Sequence, residues 1–387
     1  MKTCLACLLL LLAACGADGD DDPADPVDGL AAPPDGEGVQ LRSSLHLEPG
    51  TEAYDCRYLA LPDQPIEIAR FEHAYTPGAH HMLLYPTRFR PDEVELDRSF
   101  DCTAGGDLGQ TGILYGGSRP EGALPYPDGV AVKQPAGAVV LLESHYLNAS
   151  EAPLDADVRV NLWYAAAPTT VEAGTLFLRD WAIYLPPAPS EGSAAMSCEI
   201  PSPISLYYAV SHMHRRGMAF SSRLVRADEP SRPLYSSTSW ADPLPQPYQP
   251  LFELEAGDRI EFDCTYRNDL SSPVGEGRSA DKDEMCVFIA GYWPRLPVES
   301  ELCLTAGSGP ILEGAKSCEE TVSCMLDAGV GDRIGGQACI ADTCAGSAGS
   351  LSSFLVCVEA NDCWGSESCV DAHCRAEWSA CSAASCE

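Results

Sequence analysis

Positive charge is scarce in this sequence. Lysine and arginine total 24 against 57 acidic residues, a formal net charge of −33 over 387 residues. Nucleic-acid binding needs a basic surface to neutralise phosphates, so the balance argues against such a partner. Acidity of this kind keeps an extracellular protein soluble. Long apolar runs are also lacking. Only residues 5–12 stand out, and nothing later approaches the roughly 20 residues that a membrane-spanning helix needs. Common hydrolase signatures are absent: there is no His-Glu-x-x-His and no Gly-x-Ser-x-Gly. Gly309-Pro310-Ile311-Leu312-Glu313-Gly314-Ala315-Lys316-Ser317 has one residue too many before its lysine to be a phosphate loop. No long helical stripe runs through residues 39–305.

What is present begins with a processing signal. Lys2 precedes the apolar run, and Leu12-Ala13-Ala14-Cys15 closes it. The Leu-Ala-Ala-Cys-Gly string resembles a bacterial lipoprotein cleavage site, which implies that Cys15 carries the lipid. The expected location is then the bacterial cell envelope, at the outer membrane or cell surface, with the lipid as the only membrane contact. Asp18, Asp20, Asp21, Asp22, Asp25, Asp28, Asp35 and Glu37 follow, interrupted by Pro23, Pro26, Pro33 and Pro34. Such a stretch repels itself and buries no core, so it reads as a disordered tether.

Cysteine is abundant, with 19 in the chain. Setting aside Cys4, Cys7 and Cys15 leaves an even number, which fits disulfides formed in an oxidising compartment. Ten of them lie from Cys318 onward, with partly repeating spacings. Cys-x5-Cys is not zinc spacing and only His373 is nearby, so this tail reads as a small disulfide-stabilised module.

Residues 39–305 read as all-β. Val139-Val140-Leu141-Leu142-Glu143-Ser144-His145-Tyr146 and Val158-Arg159-Val160-Asn161-Leu162-Trp163-Tyr164 have strand patterning. Leu251 to Leu254 and Arg259 to Phe262 flank Gly257-Asp258 in the manner of a hairpin. Many short strands with frequent turns favour sandwiches or jelly rolls, with a boundary between two domains near 168–174.

Only eight histidines exist, and five fall in three strings. On a strand, His212 and His214 share a face and can reach one metal. Ser211 and Met213 point the other way. Adjacent His80 and His81 point to opposite faces, so both can bind one metal only if the backbone bends. His145, on an apolar strand, is a candidate third ligand or a hydrogen-bonded core residue. Met285, taken alone, reads as core packing.

In order, His80-His81-Met82-Leu83-Leu84-Tyr85, His145-Tyr146, His212-Met213-His214 and Asp283-Glu284-Met285-Cys286 resemble the copper type II, ascorbate-dependent monooxygenases over about residues 45–305. The resemblance implies an all-β fold of two tandem jelly-roll-like β-sandwich domains followed by the Cys-rich module. It implies two coppers per chain. His80, His81 and His145 would hold the electron-transfer copper, and His212, His214 and Met285 the oxygen-binding copper. Ascorbate or a similar one-electron reductant and O2 would be co-substrates in hydroxylating a small molecule. It also implies the disulfides Cys56 with Cys102, Cys198 with Cys303, and Cys264 with Cys286. The expected organisation is a signal at 1–14, a tether at 15–40, sandwiches at 41–168 and 169–310, and the module at 311–387.

The pattern also departs from the peptide-amidating members of that family. Val210 stands where they place a carboxylate-binding arginine, and Val287 and Ile289 where they place an asparagine and a tyrosine. Peptide amidation is therefore in doubt, and a more apolar substrate is expected. Arg215 and Arg216 read as a solvated edge. A non-catalytic copper-binding lipoprotein and a structural surface protein are the competing classes.

Overall fold

The structure is a computed structural model. It describes residues 30–103, 111–305 and 307–386, with the side chain of His80 left out. Cys15 and the acidic residues up to Asp28 lie outside the described residues.

The first sandwich holds β1 (Gly38–Leu47), β2 (Glu52–Ala60), β3 (Ile66–Tyr75), β4 (Ala79–Pro86), β5 (Ser99–Asp101), β6 (Tyr115–Gly117), β7 (Glu121–Pro125), β8 (Val130–Gln134), β9 (Val139–Leu147), β10 (Leu154–Tyr164) and β11 (Val171–Glu172). One sheet runs β1-β10-β3-β8-β11, with β7 also on β3, and the other runs β5-β2-β9-β4-β6. Strands β1 to β4 alternate between the sheets, as they do in a jelly roll. Its inner core includes Phe71, Met82, Leu84, Leu142, Tyr146 and Leu162.

The second sandwich holds β12 (Gly174–Arg179), β13 (Tyr184–Leu185), β14 (Ser190–Glu199), β15 (Ile204–Met213), β16 (Gly217–Val225), β17 (Arg232–Ser237), β18 (Gln246–Leu254), β19 (Arg259–Asn268), β20 (Val274–Gly275), β21 (Cys286–Trp293) and β22 (Gly309–Pro310), with the short helix α1 (Val298–Glu301). Its sheets run β12-β21-β15-β18 and β17-β16-β19-β14-β22. Matched strand for strand, β12-β21-β15-β18 corresponds to β1-β10-β3-β8, so the jelly roll occurs twice.

Two sequence expectations change. Strands β18 and β19 do form on either side of Gly257, but they belong to different sheets and are not a hairpin. Gly257, at φ +87°, carries the chain across the sandwich. Residues 30–37, assigned to the tether, lie bonded along β10. Asn161 Nδ2 donates to Ala31 O at 2.8 Å, and Tyr164 N donates to Glu37 O at 2.8 Å. Their composition offers no apolar core, but their carbonyls accept from the side-chain amides of Gln40 and Asn161 and from the β10 backbone, whatever their own side chains are.

The module is helical: α2 (Cys318–Ala328), α3 (Arg333–Ala341), α4 (Ala345–Ala360), α5 (Glu367–His373) and α6 (Arg375–Ala383). Ser317 and Glu320 form a capping box that starts α2, and Asp332 caps α3. Five disulfides hold it: Cys318–Cys381, Cys324–Cys339, Cys344–Cys386, Cys357–Cys374 and Cys363–Cys369. Leu351, Phe354 and Val358 make its core, onto which Trp181 and Ala182 of the second sandwich pack.

Candidate metal centre

In β9 both faces are buried. Val140, Leu142 and Tyr146 enter the inner core, while Val139 and Leu141 pack in a second cluster on the outer face of the sheet. Alternation puts Glu143 and His145 on that outer face. Strand β4 lies beside β9 with His81 opposite His145, and their register shifts between Ala79 and His81. The irregularity falls at His80 and breaks strict alternation there.

The His81 and His145 ring centroids are 5.3 Å apart. His145 stacks on Tyr54 at 3.8 Å, and its Nε2 lies 2.7 Å from Glu52 Oε1. An ionised carboxylate only accepts, so Nε2 carries the proton and Nδ1 the lone pair. Burial, and then the neighbouring His81, lowers the His145 pKa, which favours the neutral ring that binds metals. His81 Nε2 lies 3.6 Å from Glu143 Oε1. Burial alone would push Glu143 up. The adjoining His81 and the guanidinium of Arg278 more than offset it and hold the carboxyl below its usual range. Arg278 belongs to the second sandwich, and Tyr54 donates its hydroxyl to the Arg278 carbonyl at 3.4 Å.

The second set sits on β15 and the approach to β21. Leu206, Ala209 and Met213 of β15 enter the inner core, as do Cys286, Phe288, Ala290 and Tyr292 of β21. His212 and Val210 therefore face outward, opposite Val287 and Ile289. His214 follows at the strand end, with its ring 5.3 Å from that of His212. Its Nδ1 lies 3.2 Å from Asp283 O, which only accepts, so Nε2 carries the lone pair. Burial lowers the His214 pKa to about 4. Met213 pairs with Cys286, so the register leads His214 toward Met285.

Met285 is held by its surroundings. Tyr266 donates its hydroxyl to Met285 O at 3.0 Å, and Cys264–Cys286 joins β21 to β19 in the opposite sheet. Glu284 is fully buried and accepts from His214 N at 3.1 Å and Arg216 N at 2.7 Å. Burial raises its pKa to about 7. Arg216, read from sequence as part of a solvated edge, is buried: it bonds Asp269 at 3.0 Å and approaches Glu284 at 4.0 Å. Arg215 alone behaves as an exposed residue, pairing with Asp269 and Asp281 at 3.1 Å.

The two sets meet. The rings of His81 and His212 are 6.1 Å apart, across the interface between the sandwiches. Phe177 of β12 joins the cluster on the outer face of β9, so these two sheets face one another. Sequence gave no role to Glu52, Tyr54, Glu143 or Arg278. Glu143, a carboxylate in an apolar strand, was the available signal. Among the described residues, the one convergent group of three His, Cys, Asp or Glu donors is Cys56, Cys102 and Glu143. Its sulfurs are already bonded to each other, so it is not a metal site. Cys198–Cys303 is also bonded. His212, His214 and Met285 offer two imidazoles and a thioether, a donor set that suits copper in both oxidation states.

Residues 171–315 match the family model described as copper type II ascorbate-dependent monooxygenase, C-terminal domain. That span contains His212, His214 and Met285. The chain is 24% identical over 265 residues to peptidyl-glycine alpha-amidating monooxygenase A of Xenopus laevis, covering 63% of this chain and 26% of the relative. The chain therefore spans about a quarter of that relative's length. These two findings support the copper type II monooxygenase family. Among solved structures, the major capsid protein P2 of bacteriophage PM2 is 12% identical at a TM-score of 0.23, covering 66% of this chain and 99% of that one. A triple jelly-roll protein of an archaeal virus is 9% identical at a TM-score of 0.19, covering 66% and 59%. At such scores neither likeness carries an argument.

Proposed function

We propose that this protein is a copper-dependent monooxygenase that hydroxylates a C–H bond of an organic substrate, using O2 and ascorbate or a similar one-electron reductant. The observation that carries the proposal is the meeting of two outward-facing histidine sets, one per sandwich, the second beside a methionine. His80, His81 and His145 would hold one copper, and His212, His214 and Met285 the other. Copper supplies one-electron chemistry and activation of oxygen.

The chain's own residues prepare these positions. Glu52 and the Asp283 carbonyl fix the tautomers of His145 and His214, as partners of metal-binding imidazoles do. The Cys264–Cys286 disulfide restrains the start of β21 next to Met285. Val210 and Ile289 are cross-strand neighbours on the His212 face, both partly exposed. They give that face an apolar floor, and the arginine nearest to it, Arg179 beside Val287, is already paired with Glu276 at 3.5 Å, which favours an apolar substrate over a peptide terminus. Val287, opposite His212 on the same face, is fully buried. Lipidation of Cys15 and attachment to the cell envelope remain part of the proposal. No helix among the described residues is long and apolar enough to cross a membrane.

The test is copper content and ascorbate-dependent O2 uptake of the purified protein, compared with His145→Ala and Met285→Ala. Two coppers per chain, one disturbed by each variant, with uptake coupled to a hydroxylated product, support the reading. Two coppers without coupled turnover leave a copper-binding protein, and no specific copper ends both.

A further inference from the structure

We propose that the Cys-rich helical module is a brace for the second site, with Arg333 and Gln337 as positioning residues for the loop that presents Met285. This rests on the copper reading above.

Met285 does not sit within a strand. It ends a loop that leaves β20 at Gly275 and enters β21 at Cys286. Its ends pair through Gly277 N to Glu284 O at 3.1 Å and Glu284 N to Gly275 O at 2.9 Å, and beyond these two bonds the loop is positioned by what it touches. Here α3 touches both ends. Arg333 Nη2 lies 2.5 Å from Asp283 Oδ1. Gln337, itself buried, donates Nε2 to Glu276 O at 3.1 Å. The helix lies so close that a Cβ on Gly275 would fall 2.8 Å from Ile334 Cδ1 and would overlap the Gln337 side chain.

Asp283 is the pivot. Its carbonyl accepts from His214 Nδ1 at 3.2 Å, its carboxylate accepts from Ser279 N at 3.1 Å, and its own N donates to Ser279 O at 2.8 Å. A shift of Asp283 therefore turns His214 and displaces the residue two places on, Met285. The first site has no comparable contact with the module among the described residues. The module itself is fixed in place. Cys324–Cys339 ties α3 to α2, Ser352 Oγ donates to Ser308 O at 3.0 Å, and Trp181 and Ala182 share the helical core.

Arg333→Ala, Arg333→Lys and the double variant Arg333→Ala/Gln337→Ala test this in the full chain. Arg375→Ala is the control, because it removes an exposed pair with Asp371 at 3.6 Å elsewhere in the module. Amide hydrogen exchange is measured on metal-free protein. Copper affinity and the sulfur signature in Cu(I) X-ray absorption are measured on loaded protein.

The Arg333–Asp283 pair is half exposed on the arginine side, so the single alanine variant should speed exchange of 276–285 by only about three-fold. Adding the loss of the Gln337 bond should bring this to about ten-fold, with copper binding at the second site weakened to match. Arg333→Lys should recover part of the loss, β4 and β9 should exchange as in wild type, and the sulfur signature should fade. Wild-type exchange in the double variant, or an equal effect from Arg375→Ala, overturns the proposal. If the double variant does not fold, the single alanine and lysine variants decide by the same contrast. If wild type binds no copper, the copper reading fails, while the metal-free exchange still decides whether the module braces the loop.

Discussion

The two sandwiches share one topology, yet their histidines stand on sheets that do not correspond. In the first they lie on β4 and β9. Those strands match β16 and β19 of the second sandwich, whereas the second set lies on β15 and beside β21. The sites therefore do not follow from repetition of the fold. They follow from which outer faces meet. The first set is built inside a sheet, on neighbouring strands. The second is built at a strand end and a loop, held by a disulfide, a buried glutamate and a helix from the module. Their carboxyl groups differ as well. Glu143 beside the first set is held below its usual range by His81 and Arg278, against its burial. Burial pushes Glu284 and Asp180, which flank the second, up to about 7.

That difference predicts opposite responses to pH. Asp180 is fully buried: Oδ1 accepts from Ala182 N at 2.8 Å, and Oδ2 has no hydrogen-bond partner. Its pKa rises from 3.8 to about 7, so the folded state holds a proton that the unfolded chain has lost. The contribution to stability is complete below about pH 4 and is lost as pH climbs through about 7. Three units correspond to about 4 kcal/mol as a ceiling. Asp180→Asn stays neutral and should remove the Asp180 share of this fall in denaturant titrations at pH 5 and pH 8, leaving the share that Glu284 carries. Glu143, with its lowered pKa, adds stability that disappears only as pH falls below the ordinary carboxylate range. An unchanged pH slope in Asp180→Asn would remove the electrostatic half of the comparison.

The disulfide is the next test. Cys264–Cys286 closes a loop of sequence separation 22 next to Met285. Replacing both cysteines by alanine should cost about 3 kcal/mol. The thioether signature should vanish from copper-loaded protein while the first set keeps its metal. Loss at both sets would mean that the sandwiches unfold as one unit. Arg278→Ala has a smaller expected effect and crosses the interface in the other direction. It leaves Glu143 buried beside His81 without its cation. Because Arg278 is partly exposed, water replaces some of what is lost, so a cost of about 2 kcal/mol is expected. Copper binding at the first set should weaken although the change is made in the second sandwich.

Much of this architecture was legible in the sequence, for definite reasons. Strands such as β9 and β10 announce themselves through apolar patterning. The histidine strings are compact because β4, β9 and the end of β15 each carry their histidines within a few residues. What sequence could not show was tertiary. Nothing local says that Glu143 meets Arg278, 135 positions away. Arg215-Arg216 looks like an exposed pair until Glu284 and Asp269 are seen around Arg216. The hairpin expected around Gly257 failed because a turn glycine does not reveal whether the chain returns to the same sheet or crosses to the other. Helix α4 does bury Ala348, Leu351, Phe354, Leu355 and Val358 along one face, but Gly346, Gly349 and its serines, with Val356 and Cys357 off that face, blur the stripe in the sequence.

Glu52→Gln is the mildest change and bears most directly on whether there are two sites or one. The glutamine oxygen can still accept from His145 Nε2, so the tautomer and the stacking on Tyr54 should survive, while the negative charge that makes the imidazole a stronger donor is gone. Glu52 is 44% exposed, which limits the cost to folding. Copper at the first set should bind about ten-fold more weakly, and the second set should be untouched. Separate titrations of the two coppers in the presence of a Cu(I) chelator would measure this. An equal loss at His212, His214 and Met285 would show that the 6.1 Å contact between His81 and His212 joins the two sets into a single centre, and the comparison between two independently built sites would then give way.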